Sequence, residues 1–242
     1  MEFKVIHIDE TDSTNRWLRR WCSTDHQSDL AVWAEYQTAG QGCGSNSWES
    51  ERGKNLTFSV LLHPTEIPAD CQFRISEAVS VALCETLDGL LPGEQEVTIK
   101  WPNDIYVGDR KICGILIENQ LRGRLISDSI VGIGLNVNQT AFESDAPNPV
   151  SVAQITGHET DREALLQAFL QRLTATMEMQ PETLMETYRG RLYRREGYHP
   201  FCDSHGDFEA KVMDVLDDGR LVLLDTEGTA RMYAFKEVQF RV

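Results

Sequence analysis

The stretch from Lys100 to Glu118, K-W-P-N-D-I-Y-V-G-D-R-K-I-C-G-I-L-I-E, constrains the fold more than any other. Pro102 cannot donate to a sheet ladder, so the strand running from Val97 to Trp101 must stop there. A turn carrying Asn103 and Asp104 follows, and the apolar run Ile112 to Ile117 re-enters a sheet. Lys100 and Lys111 flank that turn. The junction offers two cations, one carboxylate and one amide, partners for phosphate or carboxylate groups with or without Mg²⁺. A charged hairpin on the rim of a sheet has the same spacing, and this stretch alone does not separate the two readings.

At 242 residues the chain is one large domain or a main domain with a small appendage. Folding at this size buries roughly 70–75% of the unfolded surface, so a self-sufficient core is expected. The net charge of −15 argues against a nucleic-acid footprint, which needs clustered Lys and Arg. It also leaves recognition of an acidic ligand to local groups, because the long-range field opposes it. The six cysteines form no C-x-x-C pair and no metal-ligand spacing with histidine. Residues 1–6 lack the pattern of a signal peptide, and no apolar run approaches the ~18–20 residues that span a bilayer. The expectation is a cytoplasmic chain with reduced thiols.

Taken in order, Phe3 to Ile8 reads as a largely buried strand. Asp9 to Asn15 combines turn and capping residues ahead of a helix from Arg16 to Cys22. Ser13, Thr14 and Asn15 would stand at that helix N-terminus, where exposed N–H groups bind small polar ligands; plain capping explains them equally. Leu30 to Tyr36 is a strand running into Gln37–Trp48, Q-T-A-G-Q-G-C-G-S-N-S-W. Its alternating Gly40, Gly42 and Gly44 resist regular structure and let backbone N–H groups approach an anion. A flexible surface turn reads the same way. No Lys or Arg occurs from Tyr36 through Glu51.

Further strands are expected at Asn55–His63 and Leu125–Asn138, the latter with Gly132 and Gly134 marking a bulge or a close approach. Helical periods appear at 69–90 and 163–179, with a short helical turn at 152–155 and a Pro/Asn turn at 145–150. A last helix starts at Pro181 and runs to about Arg195. Beyond Gly197, short alternating runs at 208–215, 221–225 and 230–235 suggest a small antiparallel barrel. The expected division is a larger unit at 1–195 and a small barrel at 196–242.

Three ligand-capable spots thus fall at predicted strand ends, where ligands of α/β sheets gather. The inventory suits activation of a carboxylate by a nucleotide. There is no P-loop, no G-x-S-x-G and no strand-associated G-x-G-x-x-G with a following ribose acid.

K-W-P-N-D-I-Y-V-G-D-R-K-I-C-G-I-L-I-E resembles the signature of biotin–protein ligases. E-Y-Q-T-A-G-Q-G ahead of a Trp, S-T-N near the start, and G-I-G-L-N-V-N match in order and spacing. The resemblance covers nearly the whole chain. It implies a central mixed sheet flanked by helices, a fold of the class II aminoacyl-tRNA synthetase and biotin ligase type (α/β, or α+β), with a small SH3-like C-terminal barrel. It also implies two steps: biotin and Mg-ATP give biotinyl-5′-AMP and pyrophosphate, and a lysine of a biotin carboxyl carrier domain then displaces AMP.

Carried over by position, the resemblance assigns Ser13, Thr14, Asn15 and Gln37 to the biotin head group, with Gly40, Gln41 and Gly42 closing over it. Lys111 would hold the biotin carboxylate and then the acyl-phosphate. Lys100 and Asn103 would face the ATP phosphates, with Gly42, Cys43 and Gly44 beside them. Asp104 would bind Mg²⁺ or orient the incoming lysine, so Lys111, Lys100 and Asp104 form the implied catalytic set. Trp48 would stack on adenine, Asn136 would lie near the nucleotide, and Gly114, Gly132 and Gly134 would line the pocket.

Two departures stand out. Many bacterial members begin with a helix-turn-helix, whereas this sequence opens on the catalytic pattern, so no operator binding is expected. The family's loop is arginine-rich, G-R-G-R-x-G-R, and here it reads G-Q-G-C-G-S-N, with Gln41, Cys43 and Asn46 at the arginine positions. A charge-assisted hydrogen bond contributes ~1.5–3 kcal/mol. Losing one or two would loosen the adenylate by roughly ten- to ten-thousand-fold, unless backbone N–H groups, Arg52 or Lys54 compensate. Two rivals stay open: a lipoate-type ligase of the same fold, and a non-catalytic biotin- or adenylate-binding regulator. Both a monomer and a sheet-extending homodimer fit the sequence.

Overall fold

The computed structural model describes residues 2–22, 28–44, 46–93, 95–143 and 148–241. Seven strands form the main sheet: β1 (Lys4–Thr11), β2 (Leu30–Gln37), β3 (Leu56–Leu62), β4 (Val97–Lys100), β5 (Asp104–Val107), β6 (Arg110–Arg122) and β7 (Leu125–Leu135). Their order is β1-β2-β3-β7-β6-β5-β4; β1 and β2 run parallel and the remaining pairs antiparallel. Every residue of β3 is buried, because helices cover both faces of the sheet centre.

On one face lies α1 (Thr14–Cys22), whose Leu18 packs with Leu30, Val32, Leu61 and Ile130. The other face carries the main core under α2 (Phe73–Asp88), with α4 (Arg162–Met177) and α5 (Pro181–Gly190) packed on α2. Between β7 and α4 stands α3 (Val152–Thr156), closed by a capping box from Ser151 and Gln154.

A second antiparallel sheet follows: β8 (His199–Asp203), β9 (Gly206–Val215), β10 (Leu221–Asp225), β11 (Ala230–Tyr233) and β12 (Gln239–Phe240), ordered β11-β10-β9-β8-β12. Its inner residues Phe201, Ala210, Val212, Leu221 and Leu223 join the main core. Trp101 fixes the two sheets together: its Nε1 donates to Gly219 O at 2.9 Å, and its ring meets Phe235 edge-on. The second sheet therefore bears on the β4–β5 end of the first.

Several boundaries differ from those read in the sequence. The first helix starts at Thr14, not Arg16, because the Gln37 side chain, 23 positions away, accepts from Thr14 N. Helix α5 stops at Gly190, not near Arg195, because the chain turns out to pair with β4: Ile99 N donates to Arg191 O and Tyr193 N to Ile99 O. The turn after Pro102 is already a strand by Asp104, and β6 is longer at both ends than Ile112–Ile117. The ladder runs unbroken through Gly132 and Gly134, and its irregularity falls between Gln120 and Leu121 instead. Short strands β8 and β12 add to the three expected in the C-terminal sheet. The Pro/Asn turn expected at 145–150 lies partly outside the described residues.

Candidate active site

The start of α1, the end of β2 and the start of β6 meet at one end of the main sheet. At the first of these, Thr14 donates through both its N and its Oγ1 to Gln37 Oε1, at 2.8 and 3.1 Å. Ser59, fully buried in β3, contacts Thr14 Oγ1 at 2.7 Å and Asn15 Oδ1 at 2.5 Å. Asn15 Nδ2 donates to Glu118 Oε2 at 3.0 Å, and Arg19 closes on the same carboxylate. Ser13, Thr14 and Asn15 are all buried. The result is a row of neutral hydrogen-bonding groups held by a serine that the sequence does not single out. Its one mark in the sequence is a second polar position, after Thr57, in the run L-T-F-S-V-L-L, which by itself points to no role.

The floor beside this row is made of glycines. Gly114 pairs with Gly134 across β6 and β7, and Gly132 pairs with Ser59 across β7 and β3. What approaches them is side chain: Asn15 packs on Gly132, and the Trp48 indole lies over Gly114 and Gly134. A methyl group on Gly114 would stand 2.8 Å from Trp48 Cζ3 and 3.3 Å from Lys111 Nζ. Trp48 arrives there on a small hairpin, with Trp48 N donating to Gly40 O at 3.1 Å, Gly42 N to Asn46 O at 2.8 Å, and Gln41 bridging Ser47. Its Nε1 is buried without a hydrogen-bond partner, an unmet donor that a ligand could satisfy.

Lys111 Nζ stands 2.6 Å from Asp104 Oδ2 and 5.8 Å from the centre of the Trp48 ring. Its backbone is fixed from the other side, with Lys111 N donating to Asn148 O and Val150 N to Lys111 O, both at 2.9 Å. Asn136 does not point outward. Its Nδ2 donates to Val150 O at 3.1 Å, which ties down the 148–150 segment beside Lys111, and its Oδ1 is buried without a partner.

Lys100 Nζ contacts Tyr106 OH at 3.1 Å and stands over the rings of Tyr106 and Phe240, the latter from the second sheet. Burial pushes the Lys100 amine below its ordinary value, and neighbouring Asp104 partly opposes that. Asn103 is half-buried in the turn between β4 and β5. Among the described residues no group of three or more His, Cys, Asp or Glu gathers to hold a metal. A single carboxylate, Asp104, fits a Mg²⁺ that arrives on nucleotide phosphates rather than a resident ion.

The cations expected to compensate for the arginine-free loop are engaged elsewhere. Arg52 pairs with Asp9 at 3.0 Å and with Glu10, and Lys54 pairs with Glu159 at 2.9 Å. Cys43 is a half-buried free thiol.

The chain is similar to known proteins along most of its length. The model of the biotin/lipoate A/B protein ligase family matches residues 8–136. The bifunctional ligase/repressor BirA of Bacillus spizizenii is 29% identical over 252 residues, covering 95% of this chain and 72% of that protein. A biotin–[acetyl-CoA-carboxylase] ligase of Paracoccus denitrificans is 32% identical over 160 residues, 64% of this chain and 65% of its own. Among solved structures, the biotin protein ligase of Aquifex aeolicus in complex with biotin and ATP aligns with a TM-score of 0.80 at 26% identity, covering 98% of each chain.

Proposed function

The chain belongs to the biotin/lipoate A/B protein ligase family, and we propose that it activates biotin with ATP and passes the biotinyl group to a lysine of a biotin carboxyl carrier domain. It is an ATP-dependent biotin–protein ligase. The observation that supports the detailed reading is that Lys111 stands against the glycine floor at Gly114, while Asn15 of the neutral row packs on the same floor at Gly132.

In this reading the ureido head group lies against Ser13, Thr14 and Gln37. Leaving its buried polar atoms unpaired would cost ~1–3 kcal/mol each, so neutral partners are what it requires. The carboxylate then reaches Lys111, whose charge offsets the repulsion between carboxylate and phosphate as they approach. A carboxylate oxygen attacks the α-phosphorus and pyrophosphate leaves. Lys100 and Asn103 face the departing phosphates, and a nucleotide-borne Mg²⁺ would have Asp104 as its protein ligand and add charge neutralisation there. In the second step the carrier's lysine attacks the mixed-anhydride carbonyl and AMP leaves with the electron pair. Asp104, already paired with Lys111, is placed to orient that amine.

Gly40, Gln41, Gly42, Cys43 and Gly44 close over the adenylate in this scheme, and Trp48 moves from the glycine floor to the nucleotide. In this scheme residues 196–242 are a small second unit packed on the main core, and its Phe240 covers Lys100. Among the described residues no helix is long and apolar enough to cross a membrane.

Biotin-dependent exchange of pyrophosphate into ATP tests the scheme. Exchange with biotin but not lipoate is expected. Lipoate-dependent exchange would assign the site to the other branch of the family, and no exchange at all would make the chain a binder.

A further inference from the structure

The loop from Gln37 to Trp48 carries no cation of its own, and Arg52 and Lys54 are committed elsewhere. Lys236, on the turn between β11 and β12, reaches the loop instead: a methyl group on Gly44 would stand 2.7 Å from its Nζ. We propose that Lys236 supplies from the second sheet the positive charge that the glycine loop lacks, and pairs with the phosphate of the adenylate held beneath that loop. The inference rests on the ligase reading above and adds to it a residue that fixes adenylate retention.

A second observation concerns backbone rather than side chain. Residues 234–237 form a tight turn, with Glu237 N donating to Ala234 O at 3.1 Å and Ala234 N donating to Glu237 Oε2 at 2.7 Å. Lys236 occupies its third position at φ 73°, a conformation that favours glycine and strains a branched-out side chain. Turn geometry alone would select glycine there. A lysine held against that preference, with its amine at the loop, is a residue kept for its side chain.

The neighbouring residues set its direction. Phe235 is pinned by Trp101 and its ring lies 5.7 Å from Lys236 Nζ, so the lysine stem crosses an aromatic face on its way to Gly44. Gly44, at φ 72°, has no side chain to block it. Loop and turn thus meet at Gly44 and Lys236, and Phe240 of the same second sheet stands over Lys100. Two lysines, one from each sheet, would then bracket the phosphate.

The strain makes the test clean. Lys236→Gly relaxes the turn, so its melting temperature should equal or exceed that of the parent. Biotinyl-AMP is formed on the enzyme, and its escape is followed by a chase with unlabelled biotin and ATP. Release from Lys236→Gly should be roughly ten- to hundred-fold faster than from the parent, and Lys236→Arg should retain the adenylate. Bystander lysines should be labelled more by Lys236→Gly. Equal release rates from parent and Lys236→Gly, in an enzyme that carries out biotin-dependent exchange, overturn the role of Lys236 and leave the ligase reading intact. Absence of exchange in the parent overturns both. Should Lys236→Gly fail to melt cooperatively, Lys236→Gln is compared with Lys236→Arg, and equal release from these two is equally fatal.

Discussion

Lys111 and Asp104 form an ion pair of 2.6 Å at the junction of β5 and β6, with both side chains about three-quarters to two-thirds covered. The pair sets the amine over the glycine floor, between the positions argued for the biotin carboxylate and the nucleotide. Removing the amine by Lys111→Ala should lower biotin-dependent exchange by at least about a hundredfold, the usual effect of deleting a charge-stabilising group. An exchange rate close to that of the parent would mean that the reaction centre lies elsewhere.

Trp48 rests on Gly114 and Gly134 with its indole N–H unpaired. A substrate that settles on those glycines must move it. Adding biotin and ATP should therefore change tryptophan fluorescence, and Trp48→Phe should remove most of the change. A response undiminished in that variant would assign it to one of the other four tryptophans.

Ser59 touches both Thr14 and Asn15 from beneath. With Ser59→Ala those groups lose a common anchor, and the KM for biotin should rise roughly tenfold, in keeping with one buried hydrogen bond. The KM for ATP should stay near its parent value, and Ser59→Thr should recover part of the loss. A rise in both KM values together would indicate general loosening of β3 instead.

Glu77 lies buried in α2 with Oε1 unpartnered, and burial pushes its carboxyl up to about 7 from an ordinary 4.5. Arg189 and Arg74 pull it down and Asp217 pushes it up. Because the folded-state value is raised, the stability it confers is complete below the unfolded value and is lost as pH rises through about 7. Glu77→Gln should therefore be more stable than the parent at pH ~8, by up to about 3 kcal/mol, and indistinguishable at pH ~4. Melting temperatures at the two pH values check this, and an equal offset at both would show that Glu77 does not titrate in that range.

The strands β2, β3 and β7 and the helices α2 and α4 were legible because each carries a long apolar period that local sequence records; β1 was legible as a strand, but it lies at the sheet edge with none of its residues fully buried, and not largely buried as its apolar residues suggested. The lysine pair, the S-T-N segment and the glycine loop were also visible, since strand ends and capping residues place them. What escaped depended on contacts between distant positions. Gln37 begins α1 two residues early by receiving Thr14, and β4 ends α5 early by pairing with Arg191 and Tyr193. Ser59 was silent because a serine in a buried strand signals nothing until its partners are known. Gly132 and Gly134 suggested a bulge or a close approach by ligand or neighbouring backbone; the ladder is regular there, and only the packing reveals that the side chains of Asn15 and Trp48 are what approach them. Lys236 reaches Gly44 across almost two hundred residues of sequence, beyond the range of any local pattern.

Phe240 over Lys100 has a consequence for the order in which the protein is made. Lys100, Lys111 and the glycine loop leave the ribosome long before β12, so a nascent chain can hold these groups without the cover that the second sheet provides. Its Lys100 would be more open to water on that side and would lose part of the burial that lowers its proton affinity. Under the ligase reading, closure of the site at Lys100 thus waits for Phe240 to dock, so a half-made chain is poorly placed to generate and shed a reactive acyl-adenylate.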